Sequence, residues 1–116
     1  MNLFIPGEFT TLNDYIDAER TNKYMAAQIK QVETQRVSVE AVNCPPVVVY
    51  PVKLRLTWYR KNRRSDPDNV AFATKFILDG LTEAGVLEGD GWKYISSIAH
   101  EFCLDTKSPG VEVTTV

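Results

Sequence analysis

From Val52 to Tyr59 the chain alternates without a slip. Val52, Leu54, Leu56 and Trp58 fall on one side, and Lys53, Arg55, Thr57 and Tyr59 on the other. Successive side chains of a strand point to opposite faces, so this pattern specifies a strand buried on one face, with a basic outer face. Such a strand requires a sheet beside it and a second layer over its apolar face. Pro51 argues for incomplete pairing near its start.

The covering layer is legible on both sides of that strand. Downstream, Asp66 suits a helix N-cap and Pro67 the first helical position, where the missing N–H costs nothing. The helix is expected to end at Ala84, with Gly85 as the left-handed residue beyond it. Its apolar stripe is Val70, Ala73, Ile77, Leu81 and Ala84, and its opposite face carries Asp68, Phe72, Lys75 and Asp79. Upstream, a helix beginning near Leu12 is expected to run into the thirties, with a buried stripe of Tyr15, Ala18, Met25, Ile29 and Val32. Val37 to Val42 fits either the end of that helix or its extension. Asn43-Cys44-Pro45-Pro46 terminates the segment.

Three further strands complete the pattern. Asn2 to Phe9 reads as the first, with Pro6-Gly7 as a break. Trp92 to Leu104, centred on Ile95 to Phe102, follows the acidic turn Glu88-Gly89-Asp90-Gly91. Val111 to Val116 is the last, after the turn Asp105 to Gly110. These final two are expected to form a hairpin-like antiparallel pair. The order is β-α-β-α-β-β, and the fold class is α+β: a small mixed sheet covered on one face by two helices.

At 116 residues, this is one domain, 1–116, with an ordinary apolar share and a formal charge of −2. Affinity for nucleic acid must therefore come from a local patch rather than from the whole molecule. Cys44 and Cys103 stand far apart with no Cys-x-x-Cys or Cys/His partner, which points to buried free thiols rather than zinc. The N-terminus has no signal-peptide pattern and no apolar run reaches membrane-spanning length, so a cytoplasmic protein without membrane contact is expected.

The local patch lies just after the alternating strand. Four of the five residues from Arg60 to Arg64 are Lys or Arg, and Asp66 and Asp68 follow directly. Arg60, Lys61, Arg63 and Arg64 suit a phosphate backbone. Paired carboxylates suit a hard divalent cation, and Asp90 would make a third ligand if the chain returns along the helix. The bland alternative assigns Asp66 to capping, Asp68 to the helix dipole and Asp90 to a turn. His100, the single histidine, reads as a polar strand residue rather than a catalytic one.

Arg63-Arg64-Ser65-Asp66-Pro67-Asp68-Asn69, then Leu78-Asp79-Gly80-Leu81-Thr82-Glu83-Ala84-Gly85-Val86-Leu87-Glu88-Gly89-Asp90, resembles the signature of the RusA-like Holliday-junction resolvases. Ile5-Pro6-Gly7 and Leu12-Asn13-Asp14-Tyr15-Ile16 with Arg20 resemble that family's N-terminal part. The resemblance implies a homodimeric endodeoxyribonuclease that resolves four-way DNA junctions in recombination and repair, of a type often carried by prophages. It implies Asp66, Asp68 and Asp90 as catalytic ligands for Mg²⁺, with Mn²⁺ as the other candidate. Two positions depart from the family pattern. Phe72 occupies the place of a lysine, and Gly89 that of the first of two acids. Lys75, on the same helix face, is a candidate substitute for that catalytic lysine; the alternative is that it only pairs with Asp79 four residues on. Phe72 is expected at a subunit interface or against DNA bases.

Metal-activated water attacking a phosphodiester is the chemistry this set implies. The competing readings are a non-catalytic junction-binding protein on the same scaffold and a dimeric structural protein with no affinity for nucleic acid.

Overall fold

The computed structural model describes residues 1–116. The elements are β1 (Asn2–Pro6), α1 (Leu12–Thr21), α2 (Lys23–Glu40), β2 (Val52–Arg60), α3 (Pro67–Ala71), α4 (Thr74–Glu83), β3 (Ile95–Leu104) and β4 (Gly110–Thr115). One mixed sheet runs in the order β1-β4-β2-β3. The α+β class is as expected, and so is the β-α-β-α-β-β order once each expected helix is counted as two segments. No helix is long and apolar enough to cross a membrane.

The expected β3–β4 pairing is not formed. β2 lies between the two strands, parallel to β3 and antiparallel to β4. The cause is visible in burial. Leu54, Leu56 and Trp58 of β2 are almost wholly buried, so β2 gains most from a neighbour on each side. β3 carries Ser96, Ser97, His100 and Glu101, and nine of its ten residues are exposed. It takes the edge, where exposure costs least.

Both long helices are interrupted. Asn22, in extended conformation, ends α1 through its N–H to the Ala18 carbonyl and opens α2 by accepting the Tyr24 N–H. The interruption resets the rotation of α2, so the expected stripe fails there. Met25 and Val32 are exposed, while Ala26, Glu33 and Val37 face inward. Val37 to Glu40 continue the helix. The second interruption, at Phe72 and Ala73, separates α3 from α4. Val70, Ala73, Ile77 and Leu81 are buried as expected, and Gly85 follows α4 with φ +78°.

The core lies between one sheet face and the helices. Leu3, Ile5, Leu54, Leu56, Trp58, Val111 and Val113 meet Val37, Ala41, Phe76, Ile77 and Leu81. Burial of such side chains is worth about 1.5–3 kcal/mol each. Gly80 lets α4 approach α2: a Cβ there would stand 2.4 Å from Val37 Cβ and 2.8 Å from the Thr34 carbonyl oxygen. Buried Glu33 accepts the Thr10 N–H at 2.8 Å and pairs with Arg36 at 3.0 Å, and Arg36 also donates to the Gly7 carbonyl at 3.1 Å. These bonds hold the β1–α1 connection against α2. The thiols are not buried as expected: Cys44 is half-buried and Cys103 exposed on β3.

His100 stacks against Trp58, and its Nδ1 accepts the Trp58 Nε1–H at 3.0 Å. That bond requires Nδ1 unprotonated, and partial desolvation of the ring against Trp58 lowers the pKa of His100 from its ordinary 6.5 although the residue stays largely exposed. The folded state therefore favours the neutral ring. Its contribution is complete above pH 6.5 and is lost as pH falls through that value and below.

Gly80→Ala should destabilise the fold by about 1–3 kcal/mol, the usual cost of overpacking, measured by urea denaturation. His100→Asn, which keeps an acceptor without a titration, should flatten the drop in melting temperature between pH 7.5 and 5.5. An equal drop in both proteins would refute the assignment.

Candidate functional site

β2 ends by delivering Arg60 to the sheet edge beside the β1–α1 connection. Its side chain is largely covered. Nε lies 3.5 Å from Glu8 Oε2, and Nη1 donates to the Phe9 carbonyl at 3.4 Å. Glu8 Oε2 also accepts the Lys61 N–H at 2.8 Å. Arg60 is thus an anchor for the loop more than a contact for solvent. The side chains of Lys61, Arg63 and Arg64 are exposed and enter no ion pair. Asn62 Oδ1 accepts the Arg64 N–H at 3.0 Å and shapes the turn between them.

This loop forms one wall of a cleft of about 270 Å³. Arg60, Arg63 and Asp66 line it on one side, and Phe102, Cys103 and Leu104 from the end of β3 on the other. A guanidinium and a carboxylate therefore border the same space.

Asp66 sits at the N-cap of α3, with φ −66° and ψ 155°, but its side chain makes no capping hydrogen bond. Only its carbonyl serves the helix, accepting the Val70 N–H at 3.1 Å. Asp68, in the first turn, is exposed. Asn69 Oδ1 accepts the Asn13 N–H at 2.9 Å, tying the start of α1 to this segment. Neither carboxylate is consumed by the fold, contrary to the bland alternative for Asp66.

Phe72 turns inward. Its ring lies 5.2 Å from Tyr15 and 5.6 Å from Phe76, centroid to centroid. It packs, half-buried, against the core of its own chain and not on the face opposite the apolar stripe. The interruption beside it sets the direction of Lys75, whose Nζ lies 3.0 Å from Asp79 Oδ1 and 3.3 Å from Asp90 Oδ2. The pair with Asp79 is the one the alternative reading of Lys75 expects, and the contact with Asp90 of the acidic turn is additional. The Asp79 hydrogen bond, aided by Asp90, holds its ammonium above the ordinary lysine value despite partial desolvation. Lys75 is a cation at neutral pH, not a base. Gly89 also has a local reason: a Cβ there would stand 2.5 Å from the Tyr94 ring.

The three sequence-selected acids do not converge. No group of three acidic, histidine or cysteine side chains is placed to hold one ion. Asp66 borders the cleft beside the basic loop, whereas Asp90 and Asp79 border a polar groove of about 720 Å³ between α2 and α4. Oxygen donors suit Mg²⁺ chemically, but this placement does not fit it, and Asp90 has an ammonium as its counter-ion. Spacing along one helix keeps Asp66 near Asp68. The position of Asp90 depends on how the turn after α4 folds back, which spacing does not encode. Glu8, which anchors the loop, carried no local signal either, because its partners Arg60 and Lys61 are more than fifty residues away.

Asp66→Ala should leave stability within about 0.5 kcal/mol of the parent, where losing a true capping side chain costs about 1 kcal/mol. Thermal or urea unfolding checks this. A loss of the full capping value would return Asp66 to a structural role. Compared with known proteins, the chain matches no family model and no curated protein.

Proposed function

We propose that the chain is a structure-selective endodeoxyribonuclease that acts on four-way DNA junctions as a homodimer. The observation that carries this reading is that Arg63 and Asp66 line one cleft. A phosphate drawn to Arg63, Arg64 or Lys61 would lie next to carboxylates that the fold leaves free. Contacts to the backbone fix position rather than base sequence, which suits recognition of a branched shape. Lys75, protonated and paired with Asp90, suits charge neutralisation at a phosphate and not proton abstraction. The resemblance to the RusA-like resolvases adds Mg²⁺, or Mn²⁺, as the expected cofactor; with the carboxylates apart, no step is assigned to it.

The separation of Asp90 from the cleft favours a second reading, a junction-binding protein without cleavage. One experiment separates them: a labelled four-way junction incubated with and without Mg²⁺, beside linear duplex. The endonuclease should nick the junction and spare the duplex. Asp66→Asn or Asp68→Asn should cut at least about a hundredfold more slowly, the scale for losing one group that stabilises the transition state, with binding kept. Arg63→Ala with Arg64→Ala should weaken binding, lowering the log K against log salt slope by about 0.9 per lost phosphate contact. Salt-sensitive binding without cutting selects the second reading, and no binding at all eliminates both.

A further inference from the structure

The acidic turn after α4 is pinned on both sides of Asp90. The Glu88 N–H donates to the Tyr50 hydroxyl at 3.0 Å, and the Gly91 carbonyl accepts the Tyr94 and Ile95 N–H groups, each at 3.0 Å. Tyr50 and Tyr94 meet edge to face with centroids 5.3 Å apart. Gly89 lies against the Tyr94 ring, where no side chain fits. The turn therefore presents Asp90 from a braced backbone. The carboxylate it presents meets Lys75 of α4, while Asp66 borders a different cleft.

The space between Asp79 and Asp90 already holds a cation. Lys75 Nζ stands 3.0 Å from Asp79 Oδ1 and 3.3 Å from Asp90 Oδ2, so one ammonium bridges the helix and the turn. A divalent ion taking those two oxygens must first evict it, because two cations at contact distance repel and salt screens little over so short a span. The ammonium is tethered, so it competes at an effective concentration that dilution does not lower. Mg²⁺ gives up water reluctantly and needs oxygens at about 2.0–2.1 Å in a near-octahedral array. No third acid, histidine or cysteine is placed to join the pair.

We propose that Lys75 takes the place of a divalent cation at the acidic turn, with Asp90 and Asp79 as the residues that position its ammonium. Asp90 is then a positioning residue and not a metal ligand. It fixes the direction of a side chain that is otherwise 57% exposed. A divalent ion drawn to Asp66 and Asp68 is held without Asp90. Taking away the ammonium opens Asp79 and Asp90 to an ion from solution. Only the use of this charge at a DNA phosphate rests on the function proposed above.

Mn²⁺ is the probe, its uptake read from the loss of the free-ion electron paramagnetic resonance signal. In the parent chain, Asp90→Asn should leave Mn²⁺ uptake unchanged. Lys75→Met, which keeps the stem and removes the charge, should bind Mn²⁺ more tightly than the parent, on the order of tenfold, the lower end for a group beside a metal site. Adding Asp90→Asn to Lys75→Met should abolish that gain, and Lys75→Arg, which keeps a cation, should show none. Lower Mn²⁺ uptake on Asp90→Asn in the parent overturns the exchange of metal for ammonium, as does a Lys75→Met chain that binds no better than the parent. The first comparison does not depend on the Lys75 variants folding. Junction cleavage is assayed separately. A parent that cuts junctions but loses Mn²⁺ on Asp90→Asn sinks the role of Lys75 alone, and a chain with the expected Mn²⁺ pattern that cuts nothing sinks the nuclease reading alone.

Discussion

The fold depends on the burial of one strand from three directions. Leu54, Leu56 and Trp58 of β2 lie under the helices, while β4 and β3 flank β2 on either side. Because β2 is fixed along its whole length, its end is fixed as well, and the basic loop leaves the sheet at one defined point. Glu8 then holds the loop's first residues through Arg60 and the Lys61 backbone. Exposed cations on an anchored base can present charge in a constant direction, which a freely moving loop cannot do.

The helical layer shows how a short interruption redirects chemistry. A continuous helix from Pro67 to Glu83 would keep Asp68, Phe72, Lys75 and Asp79 on one face. The break at Phe72 and Ala73 sends Phe72 into an aromatic cluster with Tyr15 and Phe76, and leaves Lys75 beside Asp79 and Asp90. Exposed ion pairs of this kind add little to stability, typically below about 1 kcal/mol. The arrangement matters more for the charge it places at the acidic turn. Gly80 makes the complementary contribution, since α4 can lie against α2 only where no side chain separates them.

The two edges of the sheet show opposite solutions to one hazard. β1 is short, closed by proline and set against a helix. β3 is long and carries apolar side chains that its own chain leaves partly uncovered. An edge of that kind is a template for a further strand. The end of β3 also forms a wall of the cleft lined by Arg63 and Asp66.

Patterns of local origin were readable directly from the residues. The alternation of Val52 to Tyr59, the helix start at Asp66-Pro67 and the stop at Gly85 each depend on neighbours a few positions away, and each is present in the fold. Juxtaposing cations and acids around residue 64 is likewise a matter of adjacency. What tertiary structure decided was everything set by distant partners. It put β2 between β3 and β4, turned Met25 and Val32 outward after the break at Asn22, and set Asp90 on a different groove from Asp66. Periodicity records which face of an element is apolar. It carries no record of which element that face will meet, because that choice is made by competition among all the apolar surfaces at once.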